Sequence, residues 1–404
     1  MAHNTFFVLA PMDDVTDTVF RRVVADCAPA DYTVTEFVNV DGLCSRGRSK
    51  VIRKLGVEVD TTPVIAQIWG KTPENFEQIA YEIANGLLGD SEYEKWLVEQ
   101  RRVGQNTHGD GMQGASEARS KTYKEYVDAS TGVGNAEVRT KASSATSSAR
   151  RQARPVSNFV GVDLNFGCPE KNVIKNECCS ALAQPQLRGK ALAIIEATKR
   201  GAGDFPLSIK TRLGFGEIDY TWHEFLLNQK PAMLTVHVRT TRQMSKVPAQ
   251  WEAIEPIVAL RDKISPDTKI VLNGDITSRK QGMELAEKHG VDGIMIGRGI
   301  FHDPYAFASP TTHQPSCQLA EPAGVCECPS PWKSVSREDR IKLLIKHIEL
   351  HDKIYPDGER PFSPLKKFAK VYISDFPGAS ELRDRIMRTN TVEEALSLLS
   401  ELEQ

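Results

Sequence analysis

Short apolar runs alternate with segments of helical periodicity along most of this chain. The runs are mostly continuous rather than alternating, which is typical of parallel strands buried on both faces. Eight of them predict strands, over Phe6–Met12, Tyr32–Val38, Pro63–Gly70, Val160–Gly167, Leu207–Arg212, Met233–Thr240, Lys269–Ile276 and Gly293–Gly299. Eight strands separated by helices favour an α/β fold of the (β/α)8 TIM-barrel class over an open doubly wound sheet. A dinucleotide-binding open sheet is also disfavoured, because no Gly-x-Gly-x-x-Gly motif follows the first strand.

Capping signals predict where the intervening helices begin and end. Thr72 and Pro73 begin one helix, and Gly86 can end it. Ser278 and Gln281 form a capping box that opens another helix.

Two stretches interrupt this rhythm. Residues from about 89 to 157 are far more than a helix-to-strand connection needs, and they predict a flexible surface insertion with a short helix around Ser91–Arg102. The basic residues Arg150, Arg151 and Arg154 in this insertion fit contact with a phosphate backbone, and equally a solvated tract without a partner.

The second stretch, about 309–334, is rich in Pro, Ser and Cys and predicts a linker or loop. Its three cysteines, Cys317, Cys326 and Cys328, have no fourth ligand at zinc-site spacing, so no metal site is expected.

The last part of the chain, 335–404, has a helical pattern and predicts a small C-terminal bundle after a barrel that spans 1–308. Apolar residues from Ile341 to Ile348 share one helical face, and a capping box opens a last helix at Thr391. Cations and aromatic rings occur together in this region, a mixture that suits RNA contact, although an ordinary solvated helix face fits equally well. The residues concerned are Lys366, Lys367, Phe368, Lys370 and Tyr372.

Composition narrows the function classes. The 404 residues are 40% apolar and 26% charged with a net charge of -2, so nucleic-acid contact would have to come from local patches. No apolar run is long enough to span a membrane, and no membrane association is expected. Eight cysteines scattered through a long chain indicate reduced thiols and predict a cytoplasmic protein.

The predicted strand ends carry amides, cations and glycines, not the paired carboxylates of a glycoside hydrolase, for which Glu36 has no obvious partner. In a barrel these ends face one mouth. Glycine-containing turns at 273–275 and 297–299, after the last two strands, predict a phosphate site in which Arg298 supplies a cation. Lys210 and His237 would lie deeper against a planar group, with Gln67 on the same edge; a flavin fits, because a cation there stabilises the anionic reduced form. Taken singly, each of these residues also fits a buried polar group satisfied within the barrel core.

Cys168 lies in a Gly-Cys-Pro turn at the end of the fourth predicted strand. A thiol of ordinary pKa is mostly protonated at neutral pH and can act as a general acid. The alternative is a small apolar residue. The neighbouring Cys178 and Cys179 are expected to be structural.

A series of motifs in this chain resembles the tRNA-dihydrouridine synthases, flavin enzymes in which an FMN-binding TIM barrel precedes a small helical domain. The motifs occur in the order and spacing of that family and cover almost the whole chain apart from the two interruptions. They are APMDDVTDTVFRRVV, TEF, VIAQIWG, DLNFGCPEKNV, SIKTRLG, VHVRTTRQM, VLNGDI and IMIGRG.

The resemblance implies a reaction and a set of site residues. NADPH, or alternatively NADH, would reduce bound FMN; hydride would pass from the flavin to C6 of a uracil in tRNA, and the thiol of Cys168 would protonate C5. The cofactor would be held by Pro11, Met12, Gln67, Asn165, Lys210, His237, Asn273, Gly274, Asp275, Gly297 and Arg298. Contacts with tRNA would involve Lys175, Arg212, Lys366, Lys367 and Lys370, and the protein is expected to be a monomer.

The chain departs from the family pattern at Val238, where the family has glycine, and at Cys178 and Cys179 in the turn after the Gly-Cys-Pro motif. Val238 is expected to add bulk near the flavin phosphate. Two other functions remain open: a flavin barrel acting on a free pyrimidine, like the dihydroorotate dehydrogenases, and a tRNA-binding protein without catalysis. A small-molecule enzyme would need neither the helical tail nor the basic insertion.

Overall fold

The computed structural model describes residues 5–89, 93, 95, 97, 159–309, 331–356 and 360–401. Nine strands lie in one sheet: β1 Phe6–Leu9, β2 Tyr32–Val34, β3 Val38–Asn39, β4 Val64–Trp69, β5 Phe159–Phe166, β6 Leu207–Arg212, β7 Met233–His237, β8 Lys269–Asn273 and β9 Gly293–Ile296. The helices of the first part are α1 Thr18–Cys27, α2 Val40–Leu43, α3 Arg48–Val51, α4 Pro73–Ala84, α5 Lys171–Lys175, α6 Arg188–Ala202, α7 Tyr220–Leu227, α8 Glu255–Ile264 and α9 Arg279–His289. A C-terminal helical region follows: α10 Pro331–Ser334, α11 Arg337–Ile354, α12 Ala369–Tyr372, α13 Ala379–Arg388 and α14 Val392–Ser400.

The sheet closes on itself. Every pairing is parallel, β1 pairs with both β2 and β9, and β2 also pairs with β4, so that eight strands form a ring and the short β3 is a side branch on β4. The predicted eight-stranded α/β barrel is therefore confirmed. All eight predicted strands are present, each within its predicted bounds or one residue beyond them.

The inside of the barrel is apolar at the bottom and polar towards the strand ends. Val8, Val34, Val271 and Met295 belong to a buried apolar cluster separate from the larger core between sheet and helices. On β5, Val162 and Leu164 belong to the outer core, so the residues that alternate with them face inward. This alternation turns the polar residues of the strand ends towards the barrel axis.

The predicted helix signals are confirmed. The helix that begins at Pro73 has Thr72 at its N-cap position, although the side chain of Thr72 makes no capping hydrogen bond, and Gly86 follows the helix with φ 65°. Ser278 accepts a hydrogen bond from the backbone N–H of Gln281 at the start of α9.

Most of the insertion at 89–157, with its basic tract, and most of the 309–334 stretch lie outside the described residues. Within the insertion, Tyr93, Lys95 and Leu97 are helical. The buried Tyr93 donates a hydrogen bond to Glu82 of α4 at 3.0 Å.

The C-terminal helices pack against the side of the barrel that carries α1. Phe20 of α1 stacks on Phe368 with ring centroids 4.9 Å apart, and the hydroxyl of Tyr372 bonds Nδ1 of His347. Phe368 and Tyr372 are thus buried in the joint between the two parts. The two rings are therefore not available to RNA, and any RNA contact of this region would come from its cations.

Among the residues described, no helix is both long and apolar enough to cross a membrane.

Candidate active site

A cavity of about 560 Å³ opens at the carboxyl ends of the barrel strands. Residues from all eight barrel strands or the turns after them line it, which is where parallel barrels carry their chemistry. The lining includes all twelve residues predicted to act on or hold the cofactor: Pro11, Met12, Gln67, Asn165, Cys168, Lys210, His237, Asn273, Gly274, Asp275, Gly297 and Arg298. The structure thus brings together a set that the sequence spreads over nearly 300 residues.

The Gly-Cys-Pro turn is held in place from three sides. Oδ1 of Asn165 accepts hydrogen bonds from the backbone N–H groups of Gly167 and Cys168, each at 3.0 Å. Nε of Arg212 donates to the carbonyl of Gly167 at 2.7 Å, and the hydroxyl of Ser180 donates to the carbonyl of Cys168 at 2.7 Å. The thiol is therefore carried by a fixed turn at the wall of the cavity.

The thiol of Cys168 is kept in its protonated form. Burial raises its pKa above the ordinary 9.0, opposed by a backbone hydrogen bond from Glu170 and by the charge of Arg212. At neutral pH the group carries the proton that a general acid must donate.

The pH dependence of the protonation step follows from this direction. We expect the rate of the tRNA reduction predicted from the sequence to show no appreciable loss from deprotonation of Cys168 between about pH 7 and pH 8, because a thiol whose pKa lies above 9.0 stays largely protonated over that range. The rate should fall only at higher pH. Single-turnover rates measured on protein with prereduced flavin would check this, with Lys210→Arg as the comparison because the ammonium of Lys210 is itself lost near pH 8. A decline centred between pH 7 and pH 8 in both proteins would contradict it.

Lys210 is a half-buried cation in the floor of the cavity. Its Nζ donates to Oδ1 of Asn273 at 3.2 Å, and Nδ2 of Asn273 donates to the carbonyl of Met295 at 2.9 Å. Burial, with the nearby Arg212, lowers the pKa of Lys210 to about 8. The ammonium form still predominates at pH 7.

His237 is neutral. Burial and four surrounding cations, Lys210 first among them, hold its pKa well below 6.5. Nη1 of Arg239 lies 3.0 Å from Nε2 of His237. A guanidinium can only donate, so Nε2 accepts and the ring proton is on Nδ1. No role was predicted for Arg239 from the sequence; the signal that could have indicated one is its position two residues after His237.

The glycine turns after β8 and β9 form the cationic end of the cavity. Gly274 has φ 135°, which a residue with a side chain rarely adopts. The carboxylate of Asp275 forms ion pairs with Arg239 and, at 3.1 Å, with Arg298. Because Asp275 is already paired, it orients Arg298 and leaves that guanidinium's remaining donors for an anion.

Val238 adds no bulk inside the cavity, contrary to expectation, although its Cγ2 would lie only 3.3 Å from a Cβ placed on Gly274. Its side chain is fully buried in the outer core, and the residue is not part of the cavity lining. Side chains alternate along the strand and its continuation, so the residue after the inward His237 faces outward. Cys178 and Cys179 are both buried and pack with Val173, as expected for structural residues.

The five residues predicted to contact tRNA lie in different parts of the structure. Arg212 lines the cavity, whereas Lys175 is exposed at the end of α5. Nζ of Lys366 donates to the carbonyls of Met387 and Thr389.

The last two residues predicted to contact tRNA are Lys367 and Lys370. Nζ of Lys367 donates to the carbonyl of Asp14, and Lys370 is exposed. Lys367 and Lys370 line a second cleft of about 780 Å³ between the barrel and the C-terminal helices. This cleft also contains Arg383, and it shares Arg298 and His302 with the first cavity.

The residues of the first cavity fit a flavin mononucleotide. Donor groups from Gln67, Lys210 and neutral His237 suit the polar edge of a planar ring, and Arg298 with the glycine turns suits a phosphate. The two groups adjoin within one cavity, since Nζ of Lys210 donates to Asn273 and the ring of His237 lies beside Gly274.

Comparison with known proteins gives consistent matches. A family model described as dihydrouridine synthase matches residues 8–88 and 139–404. A protein of Staphylococcus aureus (strain COL), described as a probable tRNA-dihydrouridine synthase, is 36% identical over 98% of this chain and 93% of its own length. A protein of Bacillus subtilis (strain 168), described as probable tRNA-dihydrouridine synthase 2, is 36% identical over 99% of this chain and 94% of its own length. Among solved structures, morphinone reductase covers 74% of this chain and 84% of its own at 10% identity with a TM-score of 0.39, too low a likeness to carry an argument.

Proposed function

This chain belongs to the dihydrouridine synthase family, and on that premise we propose that it reduces the C5–C6 double bond of uridines in tRNA with a bound FMN. The observation that carries the proposal is one cavity with a protonated thiol on one wall and the donors for a flavin ring and phosphate on the others. A uracil placed between them would have a hydride source on one face and an acid on the other.

Different residues of the cavity would hold the ring and the phosphate of the cofactor. Gln67, Lys210 and His237 would hold the polar edge of the ring, with Pro11, Met12 and Asn165 beside it. Asn273, Gly274, Asp275, Gly297 and Arg298 would surround the ribityl phosphate. When bound, FMN supplies the hydride for C6 of the uracil, after reduction by NADPH or alternatively NADH.

Cys168 would donate its proton to C5. The thiolate left behind is stabilised by the backbone N–H of Glu170 and the charge of Arg212, both of which oppose the rise of its pKa. A thiol held in a fixed turn loses little mobility on reaching the transition state.

The second cleft supports a tRNA substrate, and we assign residues 335–404 to tRNA binding. Lys370 and Arg383 give its helical wall two cations, apart from Arg298, which is assigned to the FMN phosphate. Phosphate contacts of this kind position a nucleic acid. The target uridine must leave the base stack to enter the cavity next to the cleft.

Arg298 tests the assignment of the phosphate end. We expect Arg298→Met to raise the dissociation constant for FMN about tenfold, because a charge-assisted contact is lost. Affinity for riboflavin, which has no phosphate, should change little. Fluorescence titration of the apoprotein measures both, with the exposed Arg388→Met as a matched control. An equal loss for FMN and riboflavin would contradict this placement of the phosphate.

Mass spectrometry of tRNA tests the proposed function. Cells that lack this protein should lose dihydrouridine from at least one tRNA position, and wild-type protein should restore it. No lost dihydrouridine would overturn the proposal. A normal tRNA profile with altered dihydroorotate or free dihydropyrimidine levels would favour the small-molecule reductase instead.

A further inference from the structure

Asp163 is a buried carboxylate beneath the cavity that has no place in the mechanism above. It lies in β5, opposite Gln67 of β4 and Ser208 of β6, with 2% of its surface exposed. It is not part of the cavity lining, so it does not reach the cofactor or the uracil directly.

Two side chains, those of Gln67 and Asn165, connect this carboxylate to the Gly-Cys-Pro turn. Nε2 of Gln67 donates to Oδ2 of Asp163 at 2.7 Å, and Nδ2 of Asn165 donates to Oε1 of Gln67 at 3.1 Å. Oδ1 of Asn165 then accepts from the backbone of Gly167 and Cys168. These hydrogen bonds therefore connect Asp163 in the barrel interior with the turn that carries the thiol of Cys168.

The groups at the two ends of this hydrogen-bond network determine which atom of each amide donates and which accepts. The backbone N–H groups can only donate, so Asn165 must present its oxygen to them. An ionised carboxylate can only accept, so Gln67 must present its nitrogen to Asp163. Turning either amide over would put two donors or two acceptors face to face in a buried site, which costs free energy.

The surroundings of Asp163 keep it an acceptor. Burial raises its pKa to about 6, opposed by the hydrogen bonds from Ser208 and Gln67 and by the charge of Lys210. The hydroxyl of Ser208 donates to Oδ1 at 2.6 Å. At neutral pH the carboxylate form predominates.

We propose that Asp163 is a positioning residue that couples the two sides of the site: its carboxylate sets the orientation of the Gln67 amide on the cofactor side and, through Gln67 and Asn165, the turn that presents Cys168. The cofactor side of this inference rests on the proposed function. The Cys168 side does not, because it concerns the geometry of the apoprotein alone.

Two measurements on apoprotein test the coupling. The first is the dissociation constant for FMN. The second is the alkylation rate of Cys168 by iodoacetamide, followed by mass spectrometry of the peptide that contains it, so that the other cysteines do not contribute.

We expect Asp163→Leu to weaken FMN binding about tenfold and to speed alkylation of Cys168 about fivefold as the turn opens more often. Asp163→Asn should restore both to within about twofold of wild type, because its oxygen can accept from Gln67 while its nitrogen donates to Ser208. Thr235→Val is the matched control, since this buried hydroxyl has no hydrogen-bond partner among the residues described, and it should change neither quantity.

A double-mutant cycle distinguishes a chain of bonds from separate effects. Gln67→Leu should speed alkylation of Cys168 as much as Asp163→Leu does, and the double variant should add nothing further. Additive effects, or a folded Asp163→Leu protein with wild-type FMN affinity and alkylation, would overturn the proposal. If Asp163→Leu does not fold, an unchanged alkylation rate in Gln67→Leu overturns it. If the wild-type protein does not bind FMN at all, the proposed function is refuted, while the alkylation rates still decide whether Asp163 positions Cys168.

Discussion

Cys168→Ala is expected to lower the rate of tRNA reduction about 10²–10⁴-fold, the range by which a positioned general acid accelerates proton transfer. The thiol is held protonated at the cavity wall by its burial, and Ala offers no proton. Affinity for FMN and the rate of flavin reduction by NADPH should stay near wild type, because Cys168 contributes no donor to the ring or the phosphate. Single-turnover assays with unmodified tRNA transcript measure the rate.

Cys27→Ala is the control for loss of a cysteine. Cys27 is a free thiol at the end of α1, outside the cavity lining, and its replacement should leave the rate unchanged. Full activity in Cys168→Ala would show that another group or water supplies the proton. A matching loss of FMN binding would show instead that Cys168 acts in cofactor binding.

Arg360→Met is expected to reduce the free energy of unfolding by about 3–5 kcal/mol, the cost of removing one member of a buried ion pair. Nη1 of Arg360 lies 2.8 Å from Oε2 of Glu36, and its Nε lies 3.3 Å from Oδ2 of Asp17. Both carboxylates are buried, and burial raises the pKa of each, with Arg360 the largest opposing influence. Without the cation, two buried carboxylates lose their main counter-charge between the barrel and the C-terminal region.

The reduction in the free energy of unfolding caused by Arg360→Met should depend on pH in a definite direction. Removing Arg360 raises the pKa of both carboxyls further in the folded state than in the unfolded chain. A group whose folded pKa is raised favours the fold at low pH and loses that contribution as pH rises. The deficit of Arg360→Met should therefore be larger at about pH 8 than at about pH 5, as measured by chemical denaturation.

The exposed pair of Arg385 and Glu401 provides the control. Arg385→Met removes an ion pair at 3.3 Å whose side chains are more than half exposed, and it should cost less than about 1 kcal/mol. An Arg360→Met protein as stable as this control would mean that the buried pair does not hold the two parts together.

The barrel and its cavity could be predicted because they follow from local patterns. Continuous apolar runs mark buried parallel strands, and the residues at their ends converge on one mouth once the barrel closes. His237 and Lys210 were therefore placed correctly from the sequence.

The contacts between the two parts of the chain could not be predicted in this way. Glu36 had no obvious partner in the sequence, and its partner Arg360 is 324 positions away. Phe368 and Tyr372 suggested an RNA surface because composition does not show which face of a short helix is covered. Asp163 was overlooked because, in a strand that is apolar on one face, only the observed register shows which polar group it meets.

The most direct test of the account is the transfer of hydrogen to tRNA by purified protein. Unmodified transcript, the FMN-loaded protein and NADPH deuterated at its transferable position would be incubated, and the nucleosides analysed by mass spectrometry and NMR. The account predicts dihydrouridine with deuterium at C6 and a solvent-derived hydrogen at C5. Absence of dihydrouridine, or deuterium at C5 instead of C6, would contradict it.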